Sequence, residues 1–190
     1  MHRLASPLAA FALVLSTAGV AQAQKGDEHY APGENYSRNM HVLSHIPLAG
    51  PLQVADIEIE QELSRPYVYI PIRVKDAGFF IINVKDPSKA KVLYRWIIEN
   101  PELHNGHALG PTYVKTKGRY YFAQTFQFQN GSPDADLGMI IFDVTGLPDT
   151  SKIKEVGRIR AADSPGGMHT LFPYKHSDGR VIVFTTPPGP

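Results

Sequence analysis

Cysteine is absent from all 190 residues. No disulfide framework and no thiolate metal cluster is available, so stability must come from core burial. An excess of one charge is lacking too: 19 Lys and Arg stand against 18 Asp and Glu. Without a basic stripe the chain has nothing to track a phosphate backbone, which excludes nucleic acid as a partner. Helical periodicity, with apolar residues at i, i+3, i+4 and i+7, is missing beyond the N-terminus. So is any other apolar run near the roughly 20 residues that span a bilayer as a helix. No Ser-His-Asp elbow is legible. The stretch "DSPGGMH" has two glycines but no Lys-Ser/Thr pair after them, so it is not a phosphate loop.

What is present begins with "MHRLASPLAAFALVLSTAGVAQAQ". Arg3 precedes an apolar run, Leu8 to Val20, and an Ala21-Gln22-Ala23 cleavage site. This is the pattern of a secretory signal peptide over 1–23, and it predicts export to the periplasm or cell surface. Its removal takes out Arg3 and no acidic residue, so the mature chain is charge-balanced and not membrane-spanning. Residues 24–38 are polar and aperiodic and read as a flexible leader.

The remainder, 39–190, repeats itself. "GFFIINVKDPSKAKVLYRWI" (Gly78 to Ile97) returns as "GMIIFDVTGLPDTSKIKEVGRI" (Gly138 to Ile159). Each has an apolar run, an Asn-Val or Asp-Val, a Pro (Pro87, Pro148) and a second strand-like run. Four segment types recur. The first is "VADIEIE" (Val54 to Glu60), with "GPTYVKT" and "HTLFPYK". It alternates, with Ala55, Ile57 and Ile59 on one face and Asp56, Glu58 and Glu60 on the other, as a half-buried strand does. The second is "RPYVYIPI", with "GRYYFAQTF" and "GRVIVFTT". Its approaches "YVKTKGR" and "YKHSDGR" match Tyr113 to Tyr174 and Gly118 to Gly179, glycines placed for tight turns. The third is the "GFFIINV" type. The fourth is "AKVLYRWII", with "IKEVGRIRA" and, at the start, "MHVLSHIPL" (Met40 to Leu48). Four short antiparallel strands recurring at this period predict an all-β fold, a partial β-propeller of about two complete four-stranded blades plus half a blade.

"FFIINVKDP" and "MIIFDVTGLP" resemble the LVIVD-repeat family of exported bacterial and archaeal proteins. In that repeat a strand ends in Asp-Val before a Pro-containing turn. Asp143-Val144 fits it, and Asn83-Val84 departs by carrying Asn. The resemblance covers about 39–190 and implies blade architecture and export. It carries no catalytic residues with it. The third unit has only its first two strands, so the chain reads as the N-terminal part of a longer propeller. Met40 to Leu48 then reads as an outer strand awaiting its blade. Open strand edges predict self-association as the alternative.

The candidate chemistry is sparse. His104, His107 and His169 sit where loops enter the first strand of a unit, and imidazoles converging there suit a transition metal. Asp134 and Asp136 lie in a Gly-containing loop and offer oxygen ligands to calcium, although Asp and Pro also simply make turns. Asp56, Glu58 and Glu60 form either an acidic channel wall or a solvated strand face. Phe126 and Phe128 offer an aromatic platform or ordinary core. The reading is therefore a non-catalytic, exported binding module without a cofactor, its partner an unknown envelope protein or glycan. The alternative is a metal-dependent periplasmic enzyme using the histidines.

Overall fold

A computed structural model describes residues 35–37, 40–48, 54–73, 76–104, 106–129 and 133–187. The signal-peptide segment and most of the leader lie outside these residues. The strands are β1 (Asn35–Ser37), β2 (Met40–His41), β3 (Glu58–Ile59), β4 (Tyr67–Ile72), β5 (Gly78–Asn83) and β6 (Lys91–Ile97). They continue as β7 (Gly106–Thr116), β8 (Arg119–Phe128), β9 (Leu137–Asp143), β10 (Lys154–Arg160), β11 (Thr170–Lys175) and β12 (Val181–Thr186). β3-β4-β5-β6 and β7-β8-β9-β10 form two four-stranded antiparallel meanders, β11-β12 a hairpin and β1-β2 a short pair. The fold is all-β.

The two large sheets are built on one plan. Asn83 pairs with Tyr67 across β4 and β5, and Asp143 pairs with Tyr121 across β8 and β9. Asn83 is thus the equivalent of Asp143, and Tyr67 of Tyr121. The Asn83 side-chain oxygen accepts from Lys85 N at 2.8 Å, and that of Asp143 from Thr145 N at 2.9 Å. Both residues make the same local turn, which needs only a side-chain oxygen; this is why Asn83 serves in the first sheet where the second has Asp143. Each connection then enters a single 3₁₀ turn, capped by Asp86 before Pro87–Lys89 and by Asp149 before Thr150–Lys152. The two prolines are not equivalent. Pro87 corresponds to Thr150, and Pro148 belongs to an insert, Gly146–Pro148, that ends in a cis Leu147–Pro148 bond.

The first and second sheets pack face to face. Tyr69 stacks on Phe122 with ring centroids 4.3 Å apart, and Phe142 meets Phe79 and Trp96 edge-on. Each such aromatic pair adds about 0.5–1.5 kcal/mol beyond its area burial. Tyr69, Phe79, Ile81 and Ile98 join Phe122, Phe126, Ile140 and Phe142 in one buried core. The far face of the second sheet, with Met139 and Ile141, meets Pro173, Val181 and Val183 of the hairpin. The far face of the first sheet, with Val68, Ile72, Phe80 and Ile82, is covered by Ile46 and Leu48.

Three sequence expectations change. Met40 to Leu48 is not one strand. Only Met40–His41 pairs, and 42–48 lies along the first sheet, with Ile46 and Leu48 turned toward it and Leu43 exposed. The segment Val54 to Glu60 shortens to β3 plus one bridge, Val54 to Ile72, and its polarity is the reverse of the usual. Ile57 and Ile59 are 63% and 43% exposed, whereas Glu60 is 5% exposed. A fully partnered carboxylate can occupy an inward position that its hydropathy argues against. Finally, Tyr174 is not the counterpart of Tyr113. Tyr113 pairs with Phe122 and Pro173 with Val183, while the turn 177–179 is one residue longer than Lys117-Gly118. That extra residue flips β11, turning Pro173 inward and Tyr174 outward. Gly118 and Gly179 do have positive φ, 72° and 85°, as their turns require.

Candidate functional site

Antiparallel order puts the ends of β4, β6, β8 and β10 and the starts of β5, β7, β9 and β11 at one end of the molecule. Three connections meet there: 98–104, 133–136 and 161–169. Backbone bonds join the second and third of these to each other and to β8. Ala161 N donates to Asp136 O and Gly166 N to Ala135 O, while Phe128 N donates to Gly166 O, each at 2.8 Å. Met168 N donates to Phe126 O at 2.8 Å, so the 161–169 connection is sewn to the end of β8. Gly167 also forms a bridge with Gln127.

Side chains lock the same end. His104 is 5% exposed, with Nδ1 2.9 Å from Asn100 O and Nε2 2.6 Å from Asp134 Oδ2. Both partners are acceptors, so both ring nitrogens donate and the ring is held as imidazolium. Burial works against that charge, but the Asn100 carbonyl and Asp134 outweigh it and raise the pKa. Asp134 is lowered in turn by His104 and Arg160. Arg160 reaches Asp134 and Asp136 with bonds of 2.7 Å each. Arg158 ties Glu99 to Glu155 beside them.

His107 and His169 share a different neighbour. His107 pairs with Gln127 across β7 and β8, and His169 Nδ1 lies 2.8 Å from Gln127 Oε1. The amide oxygen only accepts, so Nδ1 of His169 carries the proton, and in the neutral ring Nε2 is an acceptor. His107 is half-buried; burial first, then the charge of Arg73, lowers its pKa. The result is a row of polar groups, His107, Gln127 and His169, at the loop end.

The three histidines are therefore divided. His104 spends both nitrogens on Asn100 and Asp134, while His107 and His169 flank Gln127. Among the described residues no group of three or more His, Asp and Glu is arranged to hold a metal ion. Asp134 and Asp136 face Arg160 and so already have a cation. Phe126 and Phe128 are core side chains, 0% and 4% exposed, with Phe126 edge-on to Trp96, and not a platform.

The acidic segment yields a feature that sequence reading missed. Arg65 donates twice to Glu60, from Nε and from Nη2, the latter at 2.9 Å, and Tyr69 Oη donates to Glu60 Oε1 at 2.5 Å. Arg65 Nη2 also reaches Val144 O of the second sheet at 3.0 Å, and its guanidinium lies over the Tyr120 ring, 3.8 Å from the centroid. This is a clamp between sheets at the end opposite the loops. The only available signal was the spacing of Glu60 and Arg65 across a turn.

No family model, no curated protein and no solved structure matches the chain. Among the described residues no helix is long and apolar enough to cross a membrane.

Proposed function

We propose that the chain is an exported β-propeller-type module of the LVIVD-repeat kind, and that its loop end binds a glycan of the bacterial envelope. The single observation that carries this reading is the backbone hydrogen bonding of the 133–136 and 161–169 connections to each other and to the end of β8, beside Gln127 and its two imidazoles. A pre-ordered surface loses little entropy on binding. Hydrogen-bonding groups in a row suit a hydroxyl-rich ligand, which donates and accepts at each hydroxyl. The face-to-face packing of equivalent sheets supports the blade reading, since propeller blades stack in this sense. The signal-peptide pattern supports export.

The test is co-sedimentation of the mature protein with purified peptidoglycan sacculi. Wild type pellets with the sacculi, and Gln127→Ala with His169→Ala shifts it at least tenfold toward the supernatant. Equal pelleting of both proteins contradicts the reading. Turnover of a sacculus-derived substrate that needs added Zn²⁺ and is lost in His107→Ala favours the metal-enzyme alternative instead.

A further inference from the structure

Arg65, Arg95, Arg119, Arg158, Arg160 and Arg180 each pair with a carboxylate. Arg73 is the exception among the described arginines: it is exposed and bonds no acidic group. Carboxylates at the same end of the molecule are already taken, Asp76 by Arg95, Glu99 by Arg158, and Asp134 and Asp136 by Arg160. A lone exposed arginine is an ordinary solvated charge. The place of Arg73 gives it a use.

Arg73 directly follows β4, which finishes at the loop end and packs beside β7. β7 begins there with Gly106 and His107. Burial lowers the pKa of the His107 ring and the charge of Arg73 lowers it further, so the guanidinium acts within reach of that ring. His107 pairs in turn with Gln127, and Gln127 Oε1 accepts from His169. The far end of this row is fixed by Gly167. Its φ is 81°, and a Cβ there would stand 2.2 Å from Phe126 O, so glycine is what lets the 161–169 connection close on β8. Met168 N then bonds Phe126 O at 2.8 Å, which delivers His169 to Gln127. A cation, two imidazoles and an amide thus gather at one end, drawn from β4, β7, β8 and the approach to β11.

We infer that the glycan taken at the loop end is an acidic sugar, its carboxylate received by Arg73 and its hydroxyls by His107, Gln127 and His169. This rests on the glycan reading above and names the sugar class. A guanidinium presents its N–H donors in a planar fork that matches the two oxygens of a carboxylate, and such charge-assisted bonds are about twice as strong as neutral ones. The imidazoles and the amide add directional bonds that a simple anion cannot use. An acid group carried on a hydroxyl-bearing ring engages both kinds of partner at once. Arg73 is thereby the residue that sets specificity between an acidic sugar and its neutral counterpart.

The test titrates the mature protein with three disaccharides that differ only at the terminal sugar: glucose, glucuronate or glucose 6-phosphate. Affinity is read by calorimetry, and the Arg73 side-chain Nε–H by NMR. The glucuronate disaccharide is expected to bind at least tenfold more tightly than the neutral one and to shift the Arg73 signal. Arg73→Gln abolishes that preference. Arg119→Gln, an exposed arginine at the opposite end, retains it. Equal affinity for the glucose and glucuronate forms, weakened alike by Gln127→Ala, overturns the acidic-sugar assignment and leaves the glycan reading standing. Binding of none of the three overturns both. Tighter binding of the phosphate form than of the glucuronate form overturns the choice of a carboxylate. A preference that Arg119→Gln reduces as much as Arg73→Gln belongs to overall charge and overturns the proposal too.

Discussion

Arg65 and Arg119 occupy the same place in the two large sheets, two residues before Tyr67 and Tyr121, yet they point to different partners. Arg119 is 59% exposed at its side chain and bonds Asp143 at the end of the third strand of its own sheet. Arg65 is 9% exposed, bonds Glu60 on the first strand and crosses to Val144 O of the neighbouring sheet. Two substitutions account for the difference. Asn83 keeps the turn that Asp143 makes but offers no second anionic oxygen. Glu60 stands where the second sheet has Val114, on a strand position that faces the neighbouring sheet. Moving one carboxylate from the third strand to the first converts a surface pair into a buried clamp. A repeat can thus hold its backbone constant while one arginine changes from trimming an edge to joining two sheets.

Core truncation gives the largest expected break in this symmetry. Phe122 and Val68 are equivalent, but Phe122 is 0% exposed in the aromatic core between the sheets while Val68 is 6% exposed beneath the 42–48 segment. Phe122→Ala lowers unfolding stability by about 3–5 kcal/mol. Val68→Ala removes fewer atoms beneath a thinner cover and costs about 1–2 kcal/mol. Urea unfolding followed by tryptophan fluorescence reads both, through the chain's one Trp, at position 96.

A smaller effect distinguishes the two ends of the second sheet. His104 has a raised pKa when folded, so its bond to Asp134 contributes fully below the unfolded value of about 6.5 and is lost as pH rises through the folded value. Asp134 has the opposite sign, contributing above its unfolded value of about 3.9 and losing that contribution as pH falls. The wild-type urea midpoint therefore declines on the alkaline side of about pH 6.5, and His104→Gln removes that component, worth about 1–3 kcal/mol. An identical pH slope in both proteins contradicts the imidazolium assignment.

The smallest change is Asp143→Asn, which makes the second sheet resemble the first. The turn to Thr145 N survives, and only the bond from the exposed Arg119 is lost, so the shift in urea midpoint is the smallest of these. The Asp143 carboxyl is held down to about 2; burial opposes this, but the bonds from Thr145 and Arg119 prevail. Any difference between the proteins therefore narrows as pH falls from about 4 toward 2.

The strand content was legible because alternation, β-branched runs and turn glycines agree along most of 54–186. The equivalence of Asn83 with Asp143 was legible for the same reason: a strand end and an Asx turn leave a local mark. The inward turn of Glu60 was not. Its partners Arg65, Tyr69 and Val144 O come from a turn, a neighbouring strand and another sheet, and alternation cannot show which side is satisfied. The flip of Tyr174 was hidden by one extra turn residue, which an alignment by matching tyrosines absorbs without trace. His104, His107 and His169 were found as loop residues, but their division between Asp134 and Gln127 depends on how the 133–136 and 161–169 connections are sewn together.

The Arg65 clamp is tested most directly by a double-mutant cycle on Glu60 and Arg65. Glu60→Val, which installs the residue found at 114, leaves Arg65 buried without its carboxylate and costs about 3–5 kcal/mol. Glu60→Val with Arg65→Met replaces the pair by apolar volume and recovers most of that loss. If the two losses simply add, Arg65 and Glu60 do not act as a unit, and the clamp between the sheets is contradicted.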